Sequence, residues 1–351
     1  MQRRALGLVR VVLAAVKDHA GPGVSLREVP DPVPPASDQI LLRVEACGLC
    51  GTDVGFYEWR EHLRPEISLP RVLGHEVVGI IDRVGVGVER LVPGMRVATE
   101  TSAACGDCRT CRLGMPNLCE HQQRLGQQVD GGLATFVALP ATSVRRLPDE
   151  VPAAEATLVQ TIGVSLRAID RVKDVREGGT ALVFGPGPIG VLAAVILMGR
   201  GLSVAVVGLP EDRHRLRQAG ALGAECIEAD GVGAWVTERT SGFGVDLSIE
   251  AAGSPLAFNA AIEATRPGGS VVVVGMVPPT LVDLPQIVRN ELTVVGSWRR
   301  TPEAWRQATE LALKNLPLLS QIIGLRVALA EVPRALEALS RKEVIKAVVV
   351  L

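Results

Sequence analysis

The stretch that decides the fold of this chain is Val183-Phe184-Gly185-Pro186-Gly187-Pro188-Ile189-Gly190. It places a G-x-G-x-x-G motif between an apolar, strand-like run and a helical one, and this context favours dinucleotide binding. The first glycine permits a tight turn, the second lets a pyrophosphate approach the backbone, and the third lets the helix pack closely on the strand. The helix N-terminus adds free N–H groups and a positive dipole end. The alternative is an ordinary strand-to-helix turn; if a dinucleotide binds, the predicted cofactor-binding residues are Gly185, Gly187, Pro188, Ile189 and Gly190.

Around this motif, from about residue 178 onward, short apolar runs alternate with helical stretches. Apolar strands that alternate with helices predict a parallel sheet covered on both faces. A tail from Trp298 to Leu351 then holds helical stretches and ends in a strand-like run, Ala347 to Leu351. The strands predicted before this tail are Thr180–Phe184, Ser203–Val207, Val245–Ile249, Ser270–Val274 and Leu292–Val295.

The first 150 residues have a different pattern, in which short β-rich runs are separated by glycine and proline. This spacing predicts an antiparallel, barrel-like domain. We expect the N-terminal residues before the first of these runs to be a short tail that leads into a first strand. The proline-rich stretch 30–35 is expected to be a stiff extended connection. The other predicted strands are Val24–Glu28, Gln39–Ala46, Val77–Val84, Arg96–Thr99 and Ala134–Leu139.

The composition is that of a globular protein with aliphatic cores. Apolar residues make up 47% of the 351 residues and aromatic residues only 3%, while 37 basic residues nearly balance 38 acidic ones. This balance gives no reason to expect nucleic-acid or membrane binding. Arg3 and Arg4 before an apolar run loosely resemble a signal peptide, but Arg10 interrupts the run and no small-residue cleavage pattern follows. We therefore expect a cytoplasmic protein.

Six of the seven cysteines lie between Cys47 and Cys119, and four of these have close, regular spacing. An odd count at short spacings favours metal ligation in a reducing compartment over a disulfide framework. A tetrahedral zinc site takes four soft ligands at about 2.3 Å and leaves no open position, so such a site is structural. Disulfides or a redox pair are the alternatives. The predicted structural-zinc ligands are Cys105, Cys108, Cys111 and Cys119.

A second, dispersed group offers the ligands of a catalytic metal. Cys50 supplies a thiolate next to the hydroxyl of Thr52 and the carboxylate of Asp53, and His75-Glu76 adds an imidazole and a second carboxylate. A catalytic zinc takes three protein ligands and leaves one position for water or substrate. Cys50 and His75 suit this role, with Glu76 or a later residue completing the set. By itself, a His-Glu pair is more often an ordinary core or surface feature.

The other two cysteines are predicted to pack in cores. Cys47 forms a C-x-x-C with Cys50, which can be redox-active, but no thioredoxin-like unit surrounds it. We interpret Cys47 as a packed thiol. Cys226 falls on a predicted strand and is expected in the core.

The residue that reads the adenosine ribose is expected at the end of the strand after the glycine motif. An acidic residue there favours NAD, but this strand ends at Gly208. Arg213 or Arg215 can pair with a 2′-phosphate at this position, or both arginines can simply face solvent. Glu211 or Asp212 can still reach the ribose. The sequence thus allows NAD or NADP and favours NADP slightly.

Taken together, these motifs resemble the zinc-containing medium-chain dehydrogenase family, which includes alcohol, sorbitol and threonine dehydrogenases. The resemblance covers essentially the whole chain. It implies an α/β protein with a GroES-like β-barrel catalytic domain, a Rossmann domain with a doubly wound parallel sheet, and a C-terminal segment that returns to the catalytic domain. The corresponding boundaries are 1–155, with a structural zinc lobe at about 100–120, then 156–297 and 298–351.

The resemblance assigns roles to individual residues by position. Cys50, His75 and Glu76 correspond to catalytic-zinc residues, Thr52 to the hydroxyl of the proton relay, and Asp53 to a carboxylate that orients His75. The family's last zinc-site residue, usually Cys or Glu, corresponds to Gln160. An amide oxygen is a weaker ligand and leaves more positive charge on the metal, and some sugar dehydrogenases of the family also carry Gln there. Glu155 takes this place if the alignment slips.

Other positions depart from the family pattern and bear on the substrate. Gly51 stands where liver-type alcohol dehydrogenases extend the proton relay with a histidine, and Gly55 stands where threonine dehydrogenases carry one. The second departure argues against threonine as substrate. Gly296-Ser297-Trp298-Arg299 resembles a polyol-dehydrogenase segment whose arginine borders the substrate. The predicted substrate residues are Tyr57, Trp59 and Arg299. For the two aromatic residues, packing in the core is the alternative.

We therefore expect a zinc-dependent oxidoreductase that transfers a hydride between NAD(P) and a secondary alcohol, polyol or sugar. Two zinc ions per chain are implied, one catalytic and one structural. The expected partners are a small alcohol or carbonyl compound and further copies of the chain in a dimer or tetramer. One alternative is an NADP-dependent carbonyl reductase of the same fold. A zinc-stabilised dinucleotide-binding protein without catalysis is the other.

Overall fold

The computed structural model describes residues 11–30, 32, 35–173 and 176–351. The predicted N-terminal tail through residue 10, and residues 31, 33 and 34 of the predicted extended connection, lie outside the described residues. The strands are β1 Val11–Lys17, β2 Ser25–Pro30, β3 Gln39–Leu49, β4 Arg71–Val72, β5 Glu76–Val84, β6 Arg96–Thr99, β7 Ser102–Ala103, β8 Gln123–Arg124, β9 Phe136–Pro140, β10 Val144–Arg146, β11 Thr180–Phe184, β12 Ser203–Gly208, β13 Glu225–Glu228, β14 Val245–Glu250, β15 Thr265–Val273, β16 Thr293–Gly296, β17 Ile323–Ala328 and β18 Lys346–Val350.

Helices cover both faces of the central sheet and join it to the barrel. Among the described residues, none is long and apolar enough to cross a membrane. Single 3-10 turns lie at Glu61–Glu66, Pro116–Leu118, Ala141–Ser143, Pro210–Asp212, Ala229–Gly231 and Leu329–Glu331. The α-helices are α1 Gly51–Glu58, α2 Arg109–Arg112, α3 Ala153–Ala156, α4 Leu158–Ile169, α5 Pro188–Gly199, α6 Arg213–Ala221, α7 Val232–Thr240, α8 Pro255–Ala264, α9 Leu284–Arg289, α10 Pro302–Lys314, α11 Leu316–Ile322 and α12 Val332–Ser340.

A parallel sheet of six strands forms the Rossmann part, in the order β13-β12-β11-β14-β15-β16. β11, the first of these strands in the sequence, lies in the middle of the sheet, so the strand order reverses between β11 and β14. Such a reversal leaves a crevice at the carboxyl ends of the strands, where dinucleotides bind in folds of this kind. This topology confirms the predicted doubly wound sheet. β15 begins at Thr265, five residues before the predicted start, because Thr265 pairs with Val245 across an irregular register. Pro267 and two glycines had hidden this beginning from the apolar pattern.

The N-terminal part is an antiparallel β-structure, as predicted. Its larger sheet has the order β10-β6-β5-β3-β18-β17, with β9 also paired to β3, and β2-β1-β4 form a smaller sheet. The long strand β3 is central because it pairs with β5, β9 and β18. Its carboxyl end leads directly into α1, and Cys50 lies at that junction.

The C-terminal segment completes this sheet. β18 pairs antiparallel with β3, with Val349 opposite Cys47, and pairs in parallel with β17. Between the two sheets, α4 packs against α5 on one side and α10 on the other, and almost all of its residues are buried. The exact domain boundaries stay a prediction.

We expect Leu336→Ala to lower the free energy of unfolding by about 2–5 kcal/mol, because it leaves a cavity in a packed core. Leu336 lies on α12, is fully buried, and packs in the aliphatic core of the barrel. Leu256→Ala, at a side chain that is 82% exposed on α8, is the matched control and is expected to change stability by about 0.5 kcal/mol or less. Urea unfolding followed by tryptophan fluorescence measures both. Equal losses in the two variants would contradict this packing.

Candidate active site

A buried carboxylate fixes the junction between β3 and α1. Asp53, in the first turn of α1, accepts a hydrogen bond from the backbone N–H of Cys50 at 2.9 Å and another from that of Gly74 at 3.2 Å. Cys50 is the residue that precedes α1, so the first bond orients its side chain at the helix start. The second bond ties the segment before β5 to the same helix. The carboxylate thus brings together Cys50 and the residue that follows Gly74, which is His75.

The candidate metal ligands converge at this point. One donor atom each from Cys50, His75 and Glu76 lies within 4.8 Å of the others, and both His75 and Glu76 are buried. Donors this close, of the thiolate, imidazole and carboxylate types, fit a zinc ion. The Thr52 hydroxyl lies 4.0 Å from the Cys50 sulfur. The structure therefore brings together all four residues predicted to be catalytic.

Asp53 also faces the imidazole. Its Oδ1 lies 3.6 Å from His75 Nδ1, which is longer than a hydrogen bond, and no other described group bonds this buried nitrogen. Burial by itself lowers the pKa of His75, but the negative charges of Asp53 and Cys50 outweigh burial and raise the pKa well above its usual value. Burial raises the pKa of Asp53, yet His75 and the two backbone donors bring it below its usual value. The negative charges around His75 therefore favour a positive charge at its imidazole ring.

Glu76 has two neighbours that the sequence pattern did not reveal. The Lys346 ammonium contacts Glu76 Oε2, and both groups are buried. The hydroxyl of Thr161, on α4, donates to Glu76 Oε1 at 3.4 Å. Lys346 begins β18, 270 residues further along the chain, so only the strand pairing brings it here. The one available signal was a lysine at the head of an apolar terminal strand.

Gln160 lies on α4, next to Thr161, and is buried. Its side-chain carbonyl oxygen has no hydrogen-bond partner among the described residues, which leaves it available as a ligand. Glu155 accepts bonds from Ser320 at 2.9 Å and Arg326 at 2.7 Å. The Glu155 carboxylate thus already has two partners, and the assignment of Gln160 to the metal site stays a prediction.

Cys47, the first cysteine of the C-x-x-C motif, is not placed for redox chemistry. Cys47 is fully buried, and burial followed by the charges of Asp53 and Glu76 raises the pKa of its thiol well above the usual value. A reactive cysteine needs the opposite shift. The structure thus supports a packed thiol.

The four lobe cysteines form a compact sulfur cluster. One sulfur from each of them lies within 4.8 Å of the others. Two of these sulfurs accept hydrogen bonds from the backbone. The Cys105 N–H donates to Cys119 Sγ and the Cys108 N–H donates to Cys105 Sγ, both at 3.3 Å. Bonds from Thr110 and the backbone lower the pKa of Cys108 to about 5, while burial and the neighbouring thiols raise that of Cys111 to about 12. Four such sulfurs ionise together only around a cation, so the lobe fits structural zinc.

The glycine loop has the shape that a pyrophosphate requires. Gly185 has φ +107° and lies so near the loop after β14 that a Cβ would come within 2.8 Å of the Ala252 nitrogen. A Cβ at Gly190 would collide with the Gly185 carbonyl. Gly187 precedes α5, which begins with Pro188 and Ile189, and has no atom near its open side. The loop therefore leaves a cradle at a helix N-terminus.

The residues predicted to contact the adenosine ribose differ in their exposure and in their contacts. Gly208 ends β12, as predicted, and Arg213 is exposed at the start of α6. The Arg215 guanidinium donates to the carbonyls of Val344 and Leu339, both at 2.9 Å, and so ties α6 to the segment before β18. Contact of Arg215 with a coenzyme stays a prediction. Asp212 is also engaged, since it caps the turn at Leu209 and pairs with Lys342 at 3.0 Å.

The three predicted substrate residues have different surroundings. Tyr57 packs against the barrel core, and Trp59 ends α1 with its ring 5.0 Å from the Lys17 ammonium. Arg299 follows β16 and donates to the Ser102 hydroxyl at 2.7 Å. Its neighbour Arg300, which sequence analysis missed, is buried and pairs with Glu100 at 2.7 Å. Direct contact of Tyr57, Trp59 or Arg299 with substrate stays a prediction.

Comparison with known proteins agrees with this architecture. Residues 36–149 match the family model of the alcohol dehydrogenase GroES-like domain, and residues 188–314 match that of zinc-binding dehydrogenases. Sorbitol dehydrogenase of Halalkalibacterium halodurans is 32% identical over 341 residues, which is 95% of this chain and 97% of that protein. L-Threonine 3-dehydrogenase of Bacillus subtilis is 31% identical over 92% of this chain and 94% of its own length.

A solved structure extends the similarity to the whole fold. A zinc-binding dehydrogenase from Sinorhizobium meliloti 1021, determined with NADP bound, superposes with a TM-score of 0.85 at 27% identity, over 97% of this chain and 99% of that one. The matched regions include the cysteine cluster and, from Pro188 onward, the end of the glycine loop. The chain therefore belongs to the zinc-containing medium-chain alcohol and polyol dehydrogenase family, and it is an oxidoreductase that acts on CH–OH groups with a nicotinamide dinucleotide.

Proposed function

We propose that this enzyme oxidises a secondary alcohol, polyol or sugar at a zinc ion bound by Cys50, His75 and Glu76. The observation that carries the proposal is the convergence of these three donors within 4.8 Å. When bound, zinc and nicotinamide supply Lewis-acid polarisation of the alcohol hydroxyl and an acceptor for its hydride. Asp53 supports this arrangement, because it accepts hydrogen bonds from the backbone of Cys50 and of Gly74, the residue before His75.

The side chains around these donors divide the remaining work. The Thr52 hydroxyl is half-buried beside Cys50, so it accepts the proton of the alcohol and passes it towards solvent. Asp53 holds His75 in orientation and balances positive charge at the ring. Lys346 and Thr161 fix the Glu76 carboxylate. α4 closes the site against water because nearly all its residues are buried.

Gln160 is the fourth protein group of this proposed site. Its buried, unpartnered oxygen is a neutral donor, and Glu76 already shares its charge with Lys346. A zinc ion held by one thiolate and by a carboxylate whose charge Lys346 partly neutralises would keep more positive charge, and would supply stronger polarisation of an alcohol hydroxyl. We propose that Glu76 is the direct ligand and that Gln160 supplies a neutral donor at the same site.

A second zinc ion is proposed at the lobe, bound by the four cysteines Cys105, Cys108, Cys111 and Cys119. The support is the four-sulfur cluster and its backbone donors. Since all four positions of the metal are filled, this ion stabilises the loop and takes no part in the reaction. The proposal gives about two zinc ions per chain.

NADP is the proposed coenzyme. Gly208 removes the carboxylate that reads an NAD ribose, and Asp212 is engaged by Leu209 and Lys342. Arg213 is exposed at the start of α6 and is able to meet a 2′-phosphate. These observations favour the phosphorylated coenzyme. Proposed pyrophosphate contacts come from Gly187, Pro188 and Ile189.

The active protein is proposed to be a homo-oligomer. β16 is the outer strand of the six-stranded sheet, and α9, which precedes it, exposes Leu284 and Val288. Open sheet edges beside apolar side chains are covered in stable proteins, and a second copy presents the complementary edge. The cytoplasm remains the proposed compartment, since all seven cysteines are free thiols.

Two other functions stay open to direct test. Reduction of a carbonyl by NADPH uses the same residues in the reverse direction. A non-catalytic dinucleotide-binding role needs only the lobe zinc, whereas the buried donors at Cys50, His75 and Glu76 favour catalysis.

We expect Cys50→Ser to lower kcat by at least about 100-fold, because losing a direct ligand costs at least as much as losing a residue that orients one. Zinc content is expected to fall from about two ions to about one per chain. Cys226→Ser, which replaces a half-buried strand cysteine distant in sequence, is the matched control and should keep both values. Steady-state kinetics with a panel of secondary alcohols, polyols and sugars, together with metal analysis, measure the effect. Wild-type turnover in a Cys50→Ser protein with one zinc would refute the proposed site.

We expect Arg213→Gln to lower kcat/KM for NADP+ about tenfold and to change that for NAD+ by about twofold or less, because a charge-assisted bond to phosphate is lost. Arg217→Gln, at another exposed arginine of α6, serves as the control. Initial rates at limiting coenzyme give both constants. The NADP proposal fails if the wild-type enzyme prefers NAD+, or if Arg213→Gln affects the two coenzymes equally.

A further inference from the structure

Three arginines gather around the short ribbon β7–β8, beside the proposed zinc site. Ser102 in β7 lies opposite Arg124 in β8, and the Arg299 guanidinium donates to the Ser102 hydroxyl at 2.7 Å. Arg300 follows and donates to the Thr101 hydroxyl at 3.5 Å. We call Arg124, Arg299 and Arg300 the arginine cluster. Its members come from parts of the chain about 175 residues apart, so only the fold assembles it.

Carboxylates neutralise the arginine cluster only in part. Arg124 contacts Glu66, and Arg300 pairs with Glu100 at 2.7 Å. Within the described residues, no carboxylate lies within ion-pair distance of Arg299, and Arg124 Nε is buried without a hydrogen-bond partner. Burial, followed by the positive charges of Arg124 and Arg300, lowers the pKa of Arg299 to about 10. The arginine cluster therefore carries excess positive charge at a half-buried position.

The backbone at Arg299 is strained as well. Its φ is +58°, in the left-handed region that residues other than glycine rarely adopt. Such strain costs of order 1–3 kcal/mol and is concentrated at functional sites. Surrounding contacts hold it in place: the preceding carbonyl, of Trp298, accepts from the Asn117 side chain at 3.1 Å. Both the strain and the unneutralised charge call for a compensating ligand.

The arginine cluster shares a wall with the catalytic donors. Arg300 donates to the Thr99 carbonyl at 3.3 Å, and the Thr99 hydroxyl donates to the His75 carbonyl at 3.1 Å. Burial lowers the pKa of Arg300, and the negative charges of Glu100 and then Glu76 act against this effect. Residues 99–102 therefore run from the proposed zinc site to the cluster.

We propose that Arg124, Arg299 and Ser102 form a subsite for an anionic group of the alcohol substrate, either a phosphate ester or a carboxylate. Guanidinium groups bind both by paired, charge-assisted hydrogen bonds. The Ser102 hydroxyl accepts from Arg299 and donates to Gln122 at 3.3 Å, so it holds the Arg299 guanidinium in place. Arg300, already bonded to Glu100 and Thr99, contributes a fixed positive wall. This inference rests on the proposed function, since it names the class of alcohol that the zinc site oxidises.

The arginine cluster has one structural explanation that the test must separate. Arg299 lies near enough to Cys119 for the thiolate charge to raise its pKa, so it can balance the negative charge of the lobe. In that case Arg299 affects zinc retention and the stability of the lobe. It then has no effect on the choice among substrates.

The test compares Arg124→Gln and Arg299→Gln with the wild-type enzyme. Arg112→Gln, an exposed lobe arginine that pairs only with Asp107, is the matched control for loss of one charge. The substrates are a hexitol, its phosphate monoester and the related hexonate. Calorimetric titration with inorganic phosphate, at saturating coenzyme so that the glycine loop is filled, measures binding without turnover. Metal analysis is carried out on every sample.

We expect the wild-type enzyme to prefer one of the anionic substrates, and the one preferred distinguishes phosphate from carboxylate. Each cluster variant should lose about 10- to 100-fold in kcat/KM for that substrate and bind phosphate correspondingly less well, while the hexitol changes by about threefold or less. Unchanged phosphate binding in both variants would overturn the subsite. So would zinc loss with an equal decrease for all three substrates. If no alcohol is oxidised but phosphate binding still depends on Arg124 and Arg299, the proposed function fails and the subsite stands.

Discussion

The two hydrogen bonds from Cys50 and Gly74 to the Asp53 carboxylate are the constraint on which the candidate active site depends. Three segments meet there: the end of β3, the first turn of α1 and the start of β5. A buried carboxylate without donors is costly, so these backbone groups must stay in place for Asp53 to remain ionised. Removing either bond frees a segment that carries a metal donor. The geometry of Cys50 and His75 is therefore a property of the backbone as much as of the side chains.

Two distant segments of the chain, β18 and α4, supply further side chains to the candidate active site. β18 returns to pair with β3 and brings Lys346 to Glu76, while α4 crosses from the Rossmann sheet and brings Thr161 and Gln160. Gly48 makes room for this, because a Cβ there would collide with the Glu76 carboxylate. The charge at the site is thus balanced by groups from three regions of the sequence. A buried pair such as Lys346–Glu76 adds little net stability, but it fixes one orientation of the carboxylate.

Local chemistry predicted much of this protein from the sequence. The glycine loop, the four-cysteine lobe and the approximate positions of the predicted strands follow from short-range spacing, since turns, single-loop metal sites and the apolar pattern of a strand depend on neighbouring residues. The position of Gly208 was also correct, because strand β12 ends where its apolar run ends. The contacts of Arg215 with Val344 and Leu339 were not predicted, since no local pattern encodes the proximity of these residues.

The sequence by itself determined the family, the fold class and the kinds of ligand atoms that the chain offers. It did so because each signal is carried by residues within one loop or one strand. Only the tertiary structure decided which groups surround those ligands: Lys346 beside Glu76, Gln160 with an unpartnered oxygen, and three arginines around Ser102. These contacts join residues up to 270 positions apart. Strand pairing and helix packing set them, and both depend on the whole chain.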